Sequence, residues 1–457
     1  MKIAVIGGGG VRSMFLAKSL TQRGRELGVD HIVFMDNDEA KLNVYGKMAR
    51  QVALRIDPSI RFDLTMDGEE AIRDADFVIT TIRAGEEKMR VQDERAALDL
   101  GLIGQETTGA AGFSFAMRSV PALKEYCEMV RRVAKPGCKV FNFTNPAGLV
   151  SQTLRSMGYD FTFGVCDTPS GFLRRLEKFF GAEEGDVNGL CYGLNHLSFF
   201  SSITLRGEEI LPQLLADERL YQDTDMRFFE PALARRMGRS FNEYLYYYFY
   251  PERAYANIHN SAETRGELIL RVNTGMLAAL QQIDVEKDFD HALEVFCEWH
   301  GKRTSQYMAN ETGEKRPVRP YSFDIHSKAS GGYAGVVMRY IEALKADKPT
   351  DMVLCVPNEG ALDFLKPEDV VEITCRIQPS GEYRPLRVTD PGEMPTELIR
   401  RMKAYERMAC RALITHDRDT AVDALYLNPL VGSYSAAEKL VDQYIAQNKV
   451  FDGAWGK

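Results

Sequence analysis

The sequence predicts an α/β chain: a doubly wound parallel sheet followed by a second, α+β domain. Three observations carry this. The chain opens with a strand, a glycine run and a helix, in that order. A second apolar strand then ends in an acidic residue. Apolar strands and helical stretches go on alternating to about residue 185, and the rhythm changes from about Val187.

KIAVI (Lys2–Ile6) is the first strand, and it runs directly into Gly7, Gly8, Gly9 and Gly10. Val11, Met14, Phe15 and then Ala17 and Leu20 have helical spacing, with Gly24 as a stop. Strand, glycines and helix are the context of a dinucleotide-binding turn of Rossmann type. The glycines let the backbone approach a pyrophosphate, and the helix N-terminus offers N–H donors. The fit to G-x-G-x-x-G is incomplete, because Arg12 stands at the third glycine position. HIVFMD ends in Asp36, 26 positions after Gly10. An acid there can hold a ribose 2′-OH, which favours NAD over NADP. Phe77–Ile82, Lys139–Phe143 and Phe161–Val165 read as further strands, and Phe113–Ala134 as a long helix. Ligands in such a sheet lie beyond the strand carboxyl ends, where the polar clusters 80–85 (TTIRAG), 142–148 (NFTNPAG) and 166–171 (CDTPSG) fall.

Strands are expected around Asn195–His196 and in VVEITCRI (370–377), with helices over 330–344, 395–414 and 419–448. The expected domains are 1–185, which binds the dinucleotide, and 186–457, which serves substrate, metal and oligomerisation. A net charge of −8 over 457 residues and a pI near 5.6 argue against nucleic-acid and anionic-membrane partners. No apolar stretch approaches the roughly 18 residues a membrane span needs, and Ile3–Ile6 is too short for a signal peptide. Eight scattered cysteines without a CxxC pair suit a reduced, cytoplasmic setting.

Three groups of residues carry possible chemistry. Cys166 and His196 could hold a divalent transition metal, with water or substrate oxygens completing the shell. The same spacing also describes a packed thiol and a satisfied imidazole. Asp167 could act as an acid, and one of Tyr244, Tyr247 and Tyr248, expected on one helical face, as a base. The alternative is an aromatic core stripe with Asp167 capping the helix that follows. Arg83, Arg90, Arg95 and Arg265 could grip an anion, or could be solvated surface charges.

Taken together, IAVIGGGG, RAGEEKMRVQDERAALDLGLIGQETTG (83–109), NFTNPAG, CDTP, GLNHLS, the YLYYY run, TRGE and VPNEGAL (356–362) resemble glycoside hydrolase family 4 over nearly the whole chain. These are the NAD-dependent exceptions to two-carboxylate glycosidases. The resemblance implies a dehydrogenase-like architecture of the lactate/malate type, with NAD and Mn²⁺ as cofactors. It assigns Cys166 and His196 to the metal, Asp167 to the general acid and Tyr244 to the base that takes the C2 proton. Gly7–Gly10, Asp36 and Asn142 go with NAD; Asn145, Arg90 and Arg265 go with the substrate. The implied reaction oxidises the sugar at C3, removes the C2 proton, eliminates the aglycone, adds water and returns the hydride. The implied substrate is a phosphorylated disaccharide or glucoside, and the implied assembly a homodimer or homotetramer. Cys166 is expected to be oxidation-sensitive. The tetrad CDTP resembles that of α-type members (CDMP), whereas the C-terminal segments are closer to β-type members; the longer match favours a 6-phospho-β-glucosidase. A 2-hydroxy-acid dehydrogenase and a non-catalytic NAD or sugar-phosphate sensor are the alternatives.

Overall fold

The computed structural model describes residues 1–329 and 331–455; Ser330, where the 330–344 stretch opens, lies outside the described residues. Six strands pair in parallel: β1 (Lys2–Ile6), β2 (His31–Met35), β3 (Arg61–Thr65), β4 (Phe77–Thr80), β5 (Lys139–Asn142) and β6 (Thr162–Gly164). Their spatial order is β3-β2-β1-β4-β5-β6. The central strands are apolar because helices cover both faces, and all four residues of β4 are buried; the edge strand β3 (RFDLT) is not. The chain reverses its direction of travel across the sheet between β1 and β4. A crevice therefore opens at their carboxyl ends, the usual ligand position of such sheets.

β7 (Val187–Leu194), β8 (Leu197–Leu205), β9 (Glu208–Glu209) and β10 (Ser240–Phe241) form a separate antiparallel sheet. The chain then returns. β11 (Thr350–Pro357), β12 (Val370–Ile377) and β13 (Tyr383–Pro385) extend the first sheet beyond β6, all antiparallel. Among the described residues the main sheet thus has nine strands: the six parallel strands of the expected doubly wound sheet, with three antiparallel strands from the second half of the chain added at its edge. The physical reason is the short edge strand β6, whose outer side would otherwise present unpaired backbone. Cys355 of β11 lies opposite Gly164 of β6, and Glu372 of β12 lies opposite Cys355. The two sheets are tied by Thr374, whose hydroxyl accepts from Cys191 N–H at 2.9 Å and donates to the Gly189 carbonyl at 2.9 Å.

Helix Gly332–Lys345 packs onto the sheet through Tyr340, whose ring lies 5.2 Å from Phe141 and 5.7 Å from Phe163. From the other end, Lys18 of α1 (Ser13–Gln22) donates to the Asp324 carbonyl at 2.6 Å. The tyrosine run is not one continuous helix. A 3₁₀ turn over Glu243–Leu245 leads into a short helix, Tyr246–Phe249. Side chains three apart eclipse in a 3₁₀ turn, so Tyr244 and Tyr247 stack with centroids 6.4 Å apart. Tyr248 does not share that face; its hydroxyl turns to Met402 Sδ at 3.7 Å. No helix among the described residues is long and apolar enough to cross a membrane.

Candidate active site

A cavity of about 1480 Å³ opens at the carboxyl ends of the parallel strands. The three polar clusters meet on its wall, through Thr81–Gly85, Asn145 and Cys166–Thr168, together with His196 and Tyr244.

The glycine turn is shaped by close approach. Gly7 has φ 96°, and a Cβ there would lie 2.6 Å from the Thr81 carbonyl oxygen. A Cβ on Gly9 would meet the Asp36 carboxylate at 2.9 Å, and Gly9 N–H donates to Asp36 Oδ2 at 2.8 Å. Asp36 also accepts from Asp38 N–H at 3.0 Å; burial pushes its carboxyl up despite these two donors. Each oxygen keeps a further lone pair for a ribose hydroxyl. Gly9, Gly10, Val11 and Arg12 present the start of α1 to the cavity, so the turn fits a dinucleotide.

Cys166 and Asp167 follow β6. Asp167 does not cap the helix Thr168–Phe180: its side chain accepts no capping hydrogen bond and faces Arg12 at 3.6 Å. The irregular glycine turn and the CDTP tetrad are therefore joined by an ion pair. His196 sits in the tight β7–β8 turn at φ 64°. Its Nδ1 is 2.8 Å from Asn195 Oδ1, while Asn195 Nδ2 donates to Glu372 Oε1 at 3.0 Å. That chain makes Nδ1 the protonated nitrogen and leaves Nε2 with a free lone pair. Burial lowers the imidazole to about 4, so the ring is a neutral donor. Burial, with Glu372 and Asp167, pushes the Cys166 thiol well up; a bound cation would reverse this by displacing the proton. No group of three or more His, Cys, Asp or Glu arranged for a metal occurs among the described residues. The donor set is a thiol and an imidazole on one wall, and it fits a metal whose remaining positions are filled by substrate or water.

Several sequence expectations change. Asn142 is fully buried and does not line the cavity. Its Oδ1 accepts from Thr80 Oγ1 at 2.9 Å and Thr144 N–H at 3.1 Å, so it ties β4 to the loop that carries Asn145. Arg265 stands behind the wall and donates to the Arg303 carbonyl at 3.1 Å; Arg303 is the residue that lines the cavity. Arg95 is a surface charge paired with Glu267 at 2.6 Å. Arg83 and Arg90 do reach the cavity, but both are committed to Glu106, at 2.6 and 3.1 Å. Burial would raise the Glu106 carboxyl; the two arginines more than reverse this and hold it at about 2. Sequence reasoning passed over Glu106, Glu243, Arg303, Tyr307 and Glu372. Glu106, Glu243 and Glu372 lay inside or beside quoted motifs, Glu372 as the lone acid in the apolar strand VVEITCRI, whereas Arg303 and Tyr307 carried no local signal.

A Rossmann-type sheet with a glycine turn, a thiol–imidazole pair and a phenol on one cavity wall defines an NAD-type enzyme architecture with a place for a divalent cation. The chain matches Family 4 glycosyl hydrolase over residues 2–182 and Family 4 glycosyl hydrolase C-terminal domain over residues 191–431, and it belongs to this glycosidase family. It is 27% identical to the 6-phospho-beta-glucosidase BglT of Thermotoga maritima, covering 99% of each chain. It is 26% identical to the phospho-alpha-glucosidase PagL of Clostridium acetobutylicum, covering 100% of this chain and 98% of that one. The solved Thermotoga maritima 6-phospho-beta glucosidase with manganese, NAD+ and glucose-6-phosphate superposes with a TM-score of 0.80 at 26% identity, covering 99% of each chain. Malate dehydrogenase from Plasmodium falciparum shares the fold alone, at a TM-score of 0.51 and 12% identity over 93% of this chain and 99% of that one. A His–Asp pair of the kind a hydroxy-acid dehydrogenase needs does occur, His31–Asp63 at 2.8 Å. It stands at the amino end of β2, the wrong end of the sheet for the cavity.

Proposed function

We propose that this chain hydrolyses 6-phosphoglucosides, with the β anomer as its substrate, using NAD⁺ and a divalent metal such as Mn²⁺. The observation that carries this is the convergence of Cys166, Asp167, His196 and Tyr244 on the cavity that also holds the glycine turn. Bound NAD⁺ would supply a hydride acceptor for C3, and the metal would supply a Lewis acid for the C2 and C3 oxygens.

The chain's own residues do the rest. Cys166 Sγ and His196 Nε2 hold the cation. Tyr244 takes the C2 proton once C3 is a ketone, and Asp167 protonates the departing glycosidic oxygen. Asn145 orients the sugar. Arg303 supports a phosphate on the substrate: no carbonyl or carboxylate accepts from its side chain among the described residues. Burial, then Arg12, lower its guanidinium to about 10, only partly offset by Glu87, with Arg265 and Arg83 adding to the lowering. A cation so crowded by like charges is relieved by an anion. Arg90, on the wall, and Arg265, behind it, support that site. The same reading places the enzyme in the cytoplasm as a homodimer or homotetramer.

The test offers p-nitrophenyl 6-phospho-β- and α-glucosides, and their unphosphorylated forms, to the reduced protein with NAD⁺ and Mn²⁺. Nitrophenol release from the phosphorylated β-glucoside, abolished by EDTA, is the expected result, with solvent deuterium entering C2 of the product. Release from neither phosphorylated anomer overturns the reading, and release from the α-glucoside alone overturns the anomer.

A further inference from the structure

The cavity does not end at Cys166 and Asp167. It continues as an arm along helix Thr168–Phe180, where Asp167, Gly171, Arg174 and Lys178 line it in turn. Residues so spaced share one face of a helix, so the four form a stripe. At about 1.5 Å of rise per residue, Arg174 lies roughly 10 Å along the axis from Asp167. That span holds one ring beyond the glycosidic oxygen. A Cβ on Gly171 would stand 3.8 Å from Arg174 Nη2, so the glycine leaves the stretch between the two charged residues open.

The chain at Lys328, Ala329 and Gly332 also lines this arm. It is tied to α1: Ser19 Oγ donates to the Gly331 carbonyl at 3.1 Å, and Ala329 N–H donates to Gln22 Oε1 at 2.8 Å. Gly331 has φ 86°, and a Cβ there would run into the Arg174 guanidinium. The guanidinium thus fills space that a side chain at 331 would need. Arg174 is half-buried, and no oxygen accepts from its side chain among the described residues. The acids around it are engaged elsewhere. Asp167 faces Arg12 at 3.6 Å, Glu184 pairs with Lys328 at 2.6 Å, and Glu177 accepts from Gly185 N–H at 2.6 Å. Its neighbour Arg175 is paired with Asp225. Burial lowers the Arg174 guanidinium below its ordinary value, and the three acids only partly offset this. Its N–H donors are left for a partner from outside. A carboxylate or phosphate takes two parallel N–H bonds from such a fork and brings the balancing charge; a sugar hydroxyl brings no charge.

We propose that this arm is the aglycone subsite, and that Arg174 selects a 6-phosphoglucoside whose aglycone carries an oxyanion; this rests on the function proposed above. The stripe begins at Asp167, the residue that meets the departing glycosidic oxygen, and leads away from it along the helix. Arg303 and Arg174 then hold two ends of one substrate, the 6-phosphate and the aglycone oxyanion.

The experiment offers the full-length protein, with NAD⁺ and Mn²⁺, 4-carboxyphenyl 6-phospho-β-glucoside and its uncharged methyl ester. Wild type is compared with Arg174→Ala and Arg174→Lys, and chromatography of the released phenol gives kcat/KM. The readout is the ratio of acid to ester, in which any general loss of fold or turnover cancels. Arg174→Ala is expected to lower that ratio about 10- to 100-fold, the range of a charge-assisted hydrogen bond. Arg174→Lys is expected to recover part of it, because the charge stays and the fork goes. The same ratio in wild type and Arg174→Ala overturns the proposal, even where both substrates are cleaved more slowly. Cleavage of p-nitrophenyl 6-phospho-β-glucoside but not of the acid by wild type overturns the subsite alone. If wild type cleaves none of the three, the 6-phosphoglucosidase reading has failed and the subsite falls with it.

Discussion

Two parts of the cavity wall handle charge in opposite ways. On one, Arg83 and Arg90 share Glu106, and Arg90 also holds Glu94 at 2.8 Å. Every charge there has a partner, and the wall is ionised and held in place. On the other, His196, Cys166, Tyr244 and Glu243 are driven toward their uncharged forms by burial. The difference separates two tasks. Groups that must hold position are paired; groups that must bind a cation or move a proton are kept neutral until a ligand arrives.

The largest expected effect breaks the neutral wall at its proposed metal position. Cys166→Ser should lower turnover by about 10³-fold or more, with Mn²⁺ no longer restoring activity after EDTA, because a serine hydroxyl does not ionise as a thiol does. Nitrophenol release across a Mn²⁺ titration measures it; full restoration by Mn²⁺ would remove Cys166 from the site.

Next comes the support beneath that wall. Glu372 accepts from Asn195 and, at 2.7 Å, from Ser198, and so fixes which way Asn195 points. Glu372→Leu should weaken Mn²⁺ binding about 10- to 100-fold, read by the electron paramagnetic resonance signal of free Mn²⁺. Equal affinity in wild type and variant would show that His196 needs no such support.

The two walls also predict opposite pH signs for stability. The folded Glu106 lies at about 2, below its ordinary 4.5. Its contribution is complete above about 4.5 and is lost as pH falls toward 2. The folded Glu243 lies at about 7, above its ordinary 4.5, so its cost is absent below about 4.5 and complete above about 7. Glu243→Gln should therefore raise the urea midpoint at pH 8 but not at pH 4.5, and Glu106→Gln should lower it at pH 8. Like signs for the two variants at pH 8 would erase the distinction. The smallest effect belongs to the exposed pair: Arg95→Ala should change stability by less than about 1 kcal/mol and leave turnover unchanged. A larger loss in urea unfolding would promote that pair to a structural role.

These walls were unequally legible in the amino-acid sequence. Five of the six parallel strands announced themselves as short apolar runs, and their polar ends marked the rim; β3, with Arg61, Asp63 and Thr65, gave no such signal. Cys166, Asp167, His196 and Tyr244 could be singled out because each lies in a loop or turn beside a motif. Asn142 misled, because a polar residue at a strand end looks the same whether it faces a ligand or ties a loop. Arg303 and Glu372 owe their surroundings to segments far away in the chain. Strands β11 and β12 were readable as strands, but nothing local tells that they rejoin the first sheet at Gly164.

That return has a consequence for synthesis. A ribosome that has released the chain through Gly164 has delivered all six parallel strands, but not the strands that cover their last edge. Cys166 and Cys191 emerge next, while Cys355 and Glu372 arrive only as the chain nears completion. Until then the thiols that the finished protein shelters are open to oxidants. The interval between half-made and whole is therefore when these thiols are most open to oxidation.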